Sequence, residues 1–142
     1  MSRRVAREKA LQALYQSDVR GEEGEGIQSL AEEVPDQERS FFWRLVRGVW
    51  EKRQVIDPVI GQHLKRGWSL SRLAVVDRSI LRMAVYELLF ETEIPYGVTL
   101  NEAVELAKTF GDENSGRFVN GVLGGVVENI EAILKRLAAE GS

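Results

Sequence analysis

The sequence predicts an all-α fold, and three observations support that prediction. Apolar residues recur at intervals of three and four along most of the chain, which is the spacing of one helix face. No segment shows sustained alternation of apolar and polar residues between hairpin turns, as a half-buried β-strand would. The chain has 142 residues, of which 44% are hydrophobic, so it is long enough for one ordinary domain. We expect about seven helices in two small bundles packed into one compact domain.

The first half of the chain contains three predicted helices. Helical spacing runs along residues 6–14, and the glycine- and glutamate-rich run 21–26 is expected to form a loop. A short helix is predicted at 27–34. A longer helix is predicted at 41–55, with Asp36 as a possible N-cap and with a buried stripe of Phe42, Leu45, Val46 and Val49.

The middle of the chain contains a break and then a central helix. Proline suits the first turn of a helix better than its interior, so Asp57-Pro58 should interrupt the preceding helix and begin a short one ending near Leu64. Gly67 marks the midpoint between two expected sub-bundles, at about 1–66 and 68–142. The two should share one core, because neither alone would bury enough surface. The central helix is predicted from Leu73, Val76, Ile80, Leu81, Ala84 and Leu88.

Two helices are predicted in the last third of the chain. Thr99 and Glu102 have the spacing of a capping box, which would begin a helix that Gly111 can end. A final helix should begin near Asn114 and bury Val119, Val122, Leu123, Val126, Ile130, Leu134 and Leu137. Two adjacent glycines, Gly124-Gly125, cost about 2 kcal/mol relative to alanine in a helix interior, which indicates a close helix crossing or a local kink there.

The composition excludes most familiar catalytic sites. There is no cysteine, which removes disulfides, zinc knuckles, thiol nucleophiles and iron–sulfur clusters. The single histidine, His63, makes a His-rich metal site or a Ser-His-Asp hydrolase hard to build, and it has no glutamate three residues before it. We therefore expect no enzymatic activity, no cofactor and no metal ion.

Localisation follows from what the sequence lacks. The first 20 residues are charged throughout and have no apolar core of the kind a signal peptide needs. The longest uncharged stretch near the C-terminus, 118–127, is half the length of about 20 residues that spans a bilayer. We expect a cytoplasmic protein without a membrane partner.

The net charge of −3 conceals an uneven distribution of charge. Residues 1–20 carry +3, residues 21–38 carry −7, and the remainder carries +1. On a helix, Arg3, Arg7 and Leu14 fall within roughly 40° of one another, and Arg4 lies about 60° beyond Arg7. Arginine in such a cluster favours phosphate, because its planar guanidinium binds two phosphate oxygens at once. The alternative is a solvated, frayed terminus.

A second candidate site is the polar turn between the last two predicted helices. Lys108 and Arg117 supply charge there, and Phe110 and Phe118 flank the turn. Asn114 or Ser115 would cap the following helix and leave backbone N–H groups that attract anions. Aromatic faces and cations beside such a helix start suit single-stranded RNA. The alternative is that both phenylalanines are core residues and the polar residues are ordinary caps.

Three segments carry a specific sequence pattern over nearly the whole chain. They are RRVAREKALQALY at the N-terminus, VDRSILRMAVYEL in the centre, and the stretch from Ile94-Pro95 through Asn101-Glu102-Ala103 to FVNGVL. In this order they resemble the NusB family of transcription antitermination factors. The resemblance implies two three-helix-like bundles that bind boxA-type sequence in ribosomal RNA leader transcripts. Its other implied partners are ribosomal protein NusE and, through other Nus factors, elongating RNA polymerase.

The resemblance also assigns roles to individual residues. It places RNA binding at Arg3, Arg4, Arg7 and Tyr15 on the first helix and at Phe110, Asn114, Ser115, Arg117 and Phe118 around the polar turn, where we add Lys108. It places the contact with NusE at Asp77, Arg82 and Tyr86. Asp77 could instead simply cap a helix beginning at Arg78. Val5 stands where some relatives carry a further arginine.

Two other functions compete with this interpretation. The first is a helical protein-interaction or homodimerisation module without RNA specificity, in which the basic helix meets an acidic surface. The second is an enzyme, or the detached RNA-binding domain of one, since RNA methyltransferases can carry a NusB-like domain. No glycine-rich cofactor loop following a strand is present to support the enzyme.

Overall fold

The computed structural model describes residues 3–20 and 26–141 of the chain. Within them it confirms the all-α prediction, with seven α-helices and no strand. The helices are α1 (Arg4–Arg20), α2 (Ile27–Glu32), α3 (Arg39–Gln62), α4 (Val75–Phe90), α5 (Tyr96–Phe110), α6 (Ser115–Glu128) and α7 (Ile130–Glu140). Single 3₁₀ turns lie at Asp36–Glu38 and Leu70–Arg72. Apart from Gly26, the loop predicted at 21–26 lies outside the described residues.

Helix α4 is the centre of the molecule, as its apolar spacing predicts. Eleven of its sixteen residues are buried, and it packs against α1 and α3 on one side and against α5 and α6 on the other. The buried apolar residues form one cluster that extends from Ala6 to Ile133. Helices from both halves of the chain therefore share this core, and the boundary near Gly67 between two sub-bundles stays a prediction.

Helix α3 is longer than predicted, and the expected break at Asp57-Pro58 is wrong. The helix continues through Pro58 to Gln62. Proline removes the N–H that would bond to the carbonyl of Gln54, one turn earlier. Both residues are exposed, so water can satisfy that carbonyl. The predicted stripe of Phe42, Leu45, Val46 and Val49 is buried, as expected. Asp36 lies in the preceding 3₁₀ turn and does not cap α3.

The predicted capping box at Thr99 is also wrong. Helix α5 begins three residues earlier, after Pro95, and no side chain caps it. The Thr99 hydroxyl is buried and donates a hydrogen bond of 3.2 Å to Oε1 of Glu87 on α4. A tertiary contact has therefore replaced the local cap. Gly111 follows the last residue of α5, as predicted.

The predicted final helix is two helices that meet at Asn129. The Asn129 amide group lies 3.0 Å from Nε2 of His63, whose Nδ1 is 2.8 Å from the carbonyl oxygen of Val59. A Cβ atom on Gly125 would come within 3.1 Å of the His63 ring, whereas one on Gly124 would meet nothing within 4 Å. The close crossing expected at the glycine pair therefore belongs to Gly125. Leu134 and Leu137 on α7 are only partly buried.

The part of the chain that the structure describes contains no helix with the length and apolar content needed to cross a membrane.

Candidate nucleic-acid and protein interface

The three N-terminal arginines point in different directions. The Arg3 guanidinium lies over the ring of Phe41 on α3, 4.5 Å from its centroid. Arg4 points towards α5, where its Nε and Nη2 donate hydrogen bonds of 3.1 Å to the two carboxylate oxygens of Glu102. This hydrogen bond, together with the negative charge of Glu102, raises the pKa of Arg4. About half of the Arg4 side chain is exposed.

Arg7 is buried in an ion pair, and its assignment to RNA stays a prediction. Its side chain is 4% exposed and is bonded to both carboxylate oxygens of Glu87, at 2.7 and 3.0 Å. The prediction that Arg7 continues the apolar stripe of Leu14 explains this position, because that stripe faces the core. Binding a phosphate would require Arg7 to leave Glu87 buried without a counter-charge, which is costly.

Two exposed aromatic side chains line a groove between α1 and α5. Tyr15 is 42% exposed and Phe110 is 49% exposed, and Val76 at the beginning of α4 lies between their helices. Lys9 and Gln12 add polar groups, and the groove encloses about 450 Å³. We call it the α1–α5 groove. Exposed aromatic faces of this kind are uncommon on a helical surface and can stack with unpaired bases.

The turn between α5 and α6 is closed by its own hydrogen bonds. Oδ1 of Asp112 accepts the backbone N–H of Asn114 at 2.8 Å, and the Ser115 hydroxyl accepts the backbone N–H of Asp112 at 3.0 Å. Ser115 is buried, and its assignment to RNA stays a prediction. The side chain of Asn114 is exposed and caps nothing. Since a carboxylate already lies at the beginning of α6, the predicted anion site there is not formed.

A second groove lies between the 3₁₀ turn at Leu70–Arg72, helix α4 and helix α6. Trp68 and Phe118 supply apolar surface, and Asp77, Asn114 and Arg117 supply polar groups to a space of about 650 Å³. We call it the α4–α6 groove. Three residues assigned to RNA (Asn114, Arg117 and Phe118) therefore lie beside one assigned to NusE (Asp77). Phe118 is partly buried and Trp68 is more than half exposed.

Asp77 has an unfilled hydrogen-bonding position. It lies in the first turn of α4 and does not cap that helix, which begins at Val75 after Ala74. The residue is 8% exposed, and its Oδ1 has no hydrogen-bond partner in the described part of the chain. A buried carboxylate oxygen without a donor costs free energy. A partner that brings an N–H group into the groove would remove that cost.

Arg82 and Tyr86 do not share this groove with Asp77. Arg82 is bonded to both carboxylate oxygens of Asp57, at 2.9 and 3.0 Å, and also lies 3.5 Å from Asp18. Tyr86 is buried against Gly48 on α3 and donates a hydrogen bond to Glu91. Both residues take part in contacts between α4 and neighbouring segments, and their assignment to NusE stays a prediction.

The two grooves adjoin each other. Val76 lines the α1–α5 groove and Asp77 lines the α4–α6 groove; likewise Phe110 lines the first and Asp112 the second. Lys108 lies outside the lining of both, with its aliphatic chain 3.1 Å from the position of a Cβ on Gly116. Two occupants could therefore bind side by side across the beginning of α4.

Sequence reasoning missed Trp68 and Lys9 as groove residues. Trp68 is an exposed tryptophan next to Gly67, which has a φ of +90°. A large apolar side chain in a turn could have indicated a surface for a partner. Within residues 3–20 and 26–141, no group of His, Asp and Glu side chains could hold a metal ion.

Comparison with known proteins shows the family of this chain. The family model described as the NusB family matches residues 4–128. A transcription antitermination protein NusB from Bacillus thuringiensis (strain Al Hakam) is 49% identical over 132 residues, which is 92% of this chain and 100% of the relative. The sequence resemblance is therefore confirmed over most of the chain.

Solved structures of NusB proteins are similar to this chain over nearly its whole length. A Thermotoga structure, described as T. maritima NusB, has a TM-score of 0.80 and 40% identity, covering 95% of this chain and 92% of that one. A complex of antitermination factors NusB and NusE with double-stranded RNA contains a chain with a TM-score of 0.77 and 35% identity, covering 94% and 96%. This chain belongs to the NusB family of transcription antitermination proteins.

Proposed function

We propose that this protein binds boxA-type single-stranded RNA in the α1–α5 groove and ribosomal protein NusE in the α4–α6 groove. The observation that carries this proposal is the position of the two grooves, which adjoin at the first turn of α4. A related NusB was solved with NusE and double-stranded RNA, which supports binding of RNA and NusE together. The protein then holds a nascent transcript and a protein partner together, and so acts on elongating RNA polymerase without catalysing a reaction.

The RNA site combines stacking with charge. Tyr15 and Phe110 offer ring faces to unpaired bases, and each such contact contributes about 1–3 kcal/mol. Arg4, at the beginning of α1, and Arg3, directly before it, can supply positive charge to the phosphates of the RNA. Side chains cannot reach the base faces inside an A-form duplex, so this groove favours unpaired RNA.

The NusE site combines an apolar surface with one strong acceptor. Trp68 and Phe118 provide the kind of aromatic anchors that dominate protein interfaces. The unpartnered Oδ1 of Asp77 requires a donor, which a basic side chain or a backbone N–H of NusE can supply. An occupant that lacks a donor would leave the oxygen unpaired, so the groove discriminates among partners.

Paired variants separate the two sites. In RNA titrations by fluorescence anisotropy, Tyr15→Leu with Phe110→Leu should lower the affinity for boxA RNA and leave NusE binding unchanged. Trp68→Leu with Asp77→Ala should do the reverse, and it serves as the matched control. Unchanged RNA affinity in the first variant, together with a tight homodimer by sedimentation, would favour the helical interaction module instead.

A further inference from the structure

The outward face of α3 carries a ladder of alternating tryptophan and arginine. Trp43, Arg47, Trp50 and Arg53 are separated by four, three and three residues, so they lie within roughly 120° of one another on the helix. The Arg47 guanidinium lies 4.5 Å from the centroid of Trp43, and that of Arg53 lies 3.9 Å from the centroid of Trp50. The ladder extends about 15 Å along the helix axis.

This segment of α3 carries a net positive charge. Residues 39–55 contain five basic residues and one acidic residue, a net charge of +4. Arg44 is paired with Glu91, and Arg39 with Asp36. Among residues 3–20 and 26–141, no carboxylate lies within ion-pair distance of Arg47 or Arg53. Two guanidinium groups are thus held against aromatic rings without an ion pair, and, of the residues that the structure describes, Glu51 is the one carboxylate that lines the shallow groove beside Arg47.

The ladder is continuous with the N-terminal arginine that reaches α3. The Arg3 and Arg44 guanidinium groups both lie over the ring of Phe41, at 4.5 and 5.5 Å. Arg44 in turn lines a shallow groove of about 270 Å³ together with Trp43 and Arg47. Positive charge therefore extends from Arg3 along the first turns of α3 to Arg47.

We propose that this face of α3 is a second RNA-contacting surface, which binds single-stranded RNA flanking the segment held in the α1–α5 groove. The inference rests on the proposed function, because it extends the path of the same RNA. The Nε of Arg53 donates a hydrogen bond of 3.2 Å to the carbonyl oxygen of Trp50. The Nη groups of a guanidinium stacked on an indole can still meet phosphate oxygens, whose geometry they match. The exposed parts of the tryptophan rings can stack with bases whatever their sequence.

A nucleic acid fits this surface better than a protein does. Tryptophan and arginine are also common at the centres of protein interfaces. A protein partner would however have to bring carboxylates to both arginines, whereas an RNA backbone carries a negative charge at every nucleotide. The contribution of the surface should therefore depend on RNA length and on salt.

The test compares two RNAs and two variants of the full chain. One RNA is limited to the boxA segment, and the other adds unstructured flanks on both sides. Arg47→Ala with Arg53→Ala removes the two unpaired charges of the ladder. Lys135→Ala with Arg136→Ala removes two exposed charges from α7 and is the matched control. Circular dichroism verifies that each variant is folded.

The expected result is specific to the longer RNA. Two phosphate contacts on a single strand change the slope of log K against log salt by about 1.4. Between about 50 and 200 mM salt, the affinity for the longer RNA should therefore fall about sevenfold more in the wild type than in the ladder variant. The short RNA should bind the wild type and the ladder variant with equal affinity. Trp43→Leu should lower the affinity for the longer RNA by about fivefold or more, because it removes a surface on which a base can stack.

Three outcomes would overturn the inference. The flanks could add no affinity in the wild type, the ladder variant could bind the longer RNA with the wild-type salt slope, or the ladder variant could instead change self-association in sedimentation. Failure of the short RNA to bind the wild type would contradict the proposed function itself. The two failures are therefore distinguishable.

Discussion

The buried pair formed by Arg7 and Glu87 gives the sharpest test of how the N-terminal helix works. Sequence patterns place Arg7 among phosphate ligands, whereas the structure buries it against a carboxylate 80 residues later in the chain. Among the residues that the structure describes, Arg7→Ala would leave Glu87 with only the Thr99 hydroxyl as a donor. If Arg7 is structural, this substitution should destabilise the fold while the folded molecules keep their affinity for RNA.

The size of the effect follows from burial. Side-chain exposures of 4% and 2% make this a buried pair, and removing one partner from such a pair costs about 3–5 kcal/mol. For a chain of this length, 1 kcal/mol corresponds to a change in Tm of about 3 °C, so Arg7→Ala should lower Tm by about 10–15 °C. Arg7→Met combined with Glu87→Gln should recover much of that loss, because neither charge then remains buried.

Two measurements decide the role of Arg7. Urea unfolding followed by circular dichroism gives the free energy of unfolding, and RNA titration well below Tm gives the affinity of the folded protein. Arg4→Ala is the matched control, since it removes a half-exposed arginine of the same helix turn. A variant Arg7→Ala with wild-type stability and reduced RNA affinity would refute the structural assignment.

Three further predictions concern the contact between α3 and α4. Gly48→Ala would place a Cβ atom on the ring of Tyr86 and should destabilise the protein by about 1–3 kcal/mol. Gly124→Ala, whose Cβ atom would meet open space, should stabilise the protein by up to about 1 kcal/mol. Equal effects of the two substitutions in urea unfolding would contradict this prediction. Burial acts to raise the pKa of Glu91, but the hydrogen bond and the charge of Arg44 lower it below its usual value. The pair therefore stabilises the fold at pH values above about 4.5, which is the pKa of this carboxyl group in the unfolded chain. The stability difference between wild type and Arg44→Gln should therefore shrink as pH falls below that value, and a constant difference would argue against the pair. Burial and the nearby Glu91 raise the pKa of Tyr86 from 10.0 to about 12, so the fold should lose stability as pH rises through that interval. Tyr86→Phe should lose less over the same range, and a parallel loss in both proteins would exclude Tyr86 as the cause.

The sequence predicted those features that depend on local spacing. The buried stripes of α3 and α4 follow from apolar periodicity, because one helix face repeats every three or four residues. Thr99 failed as a cap because its hydroxyl bonds to Glu87 on another helix, which no local pattern reports. Pro58 failed as a break because Pro58 and Gln54, whose carbonyl loses its helical donor, are both exposed to solvent.

The candidate site was predicted residue by residue but not as a surface. Asp77, Arg82 and Tyr86 were grouped on one helix, yet positions five and nine residues apart lie about 140° and 180° from the first. That angle was available from the sequence. The approach of Tyr15 to Phe110 was not, because it depends on how α1 packs beside α5. The basic segment 39–55 could also have been found by dividing the charge more finely.

The central claim is that RNA and NusE bind adjoining grooves at the same time, and RNA titration with and without NusE tests it most directly. Because the grooves meet at Val76 and Asp77, NusE should raise the RNA affinity of the wild type, and coupling between sites is typically about fivefold or more. The increase should disappear in Trp68→Leu with Asp77→Ala, while RNA affinity without NusE stays unchanged. Competition between NusE and RNA, or an undiminished increase in that variant, would contradict the account.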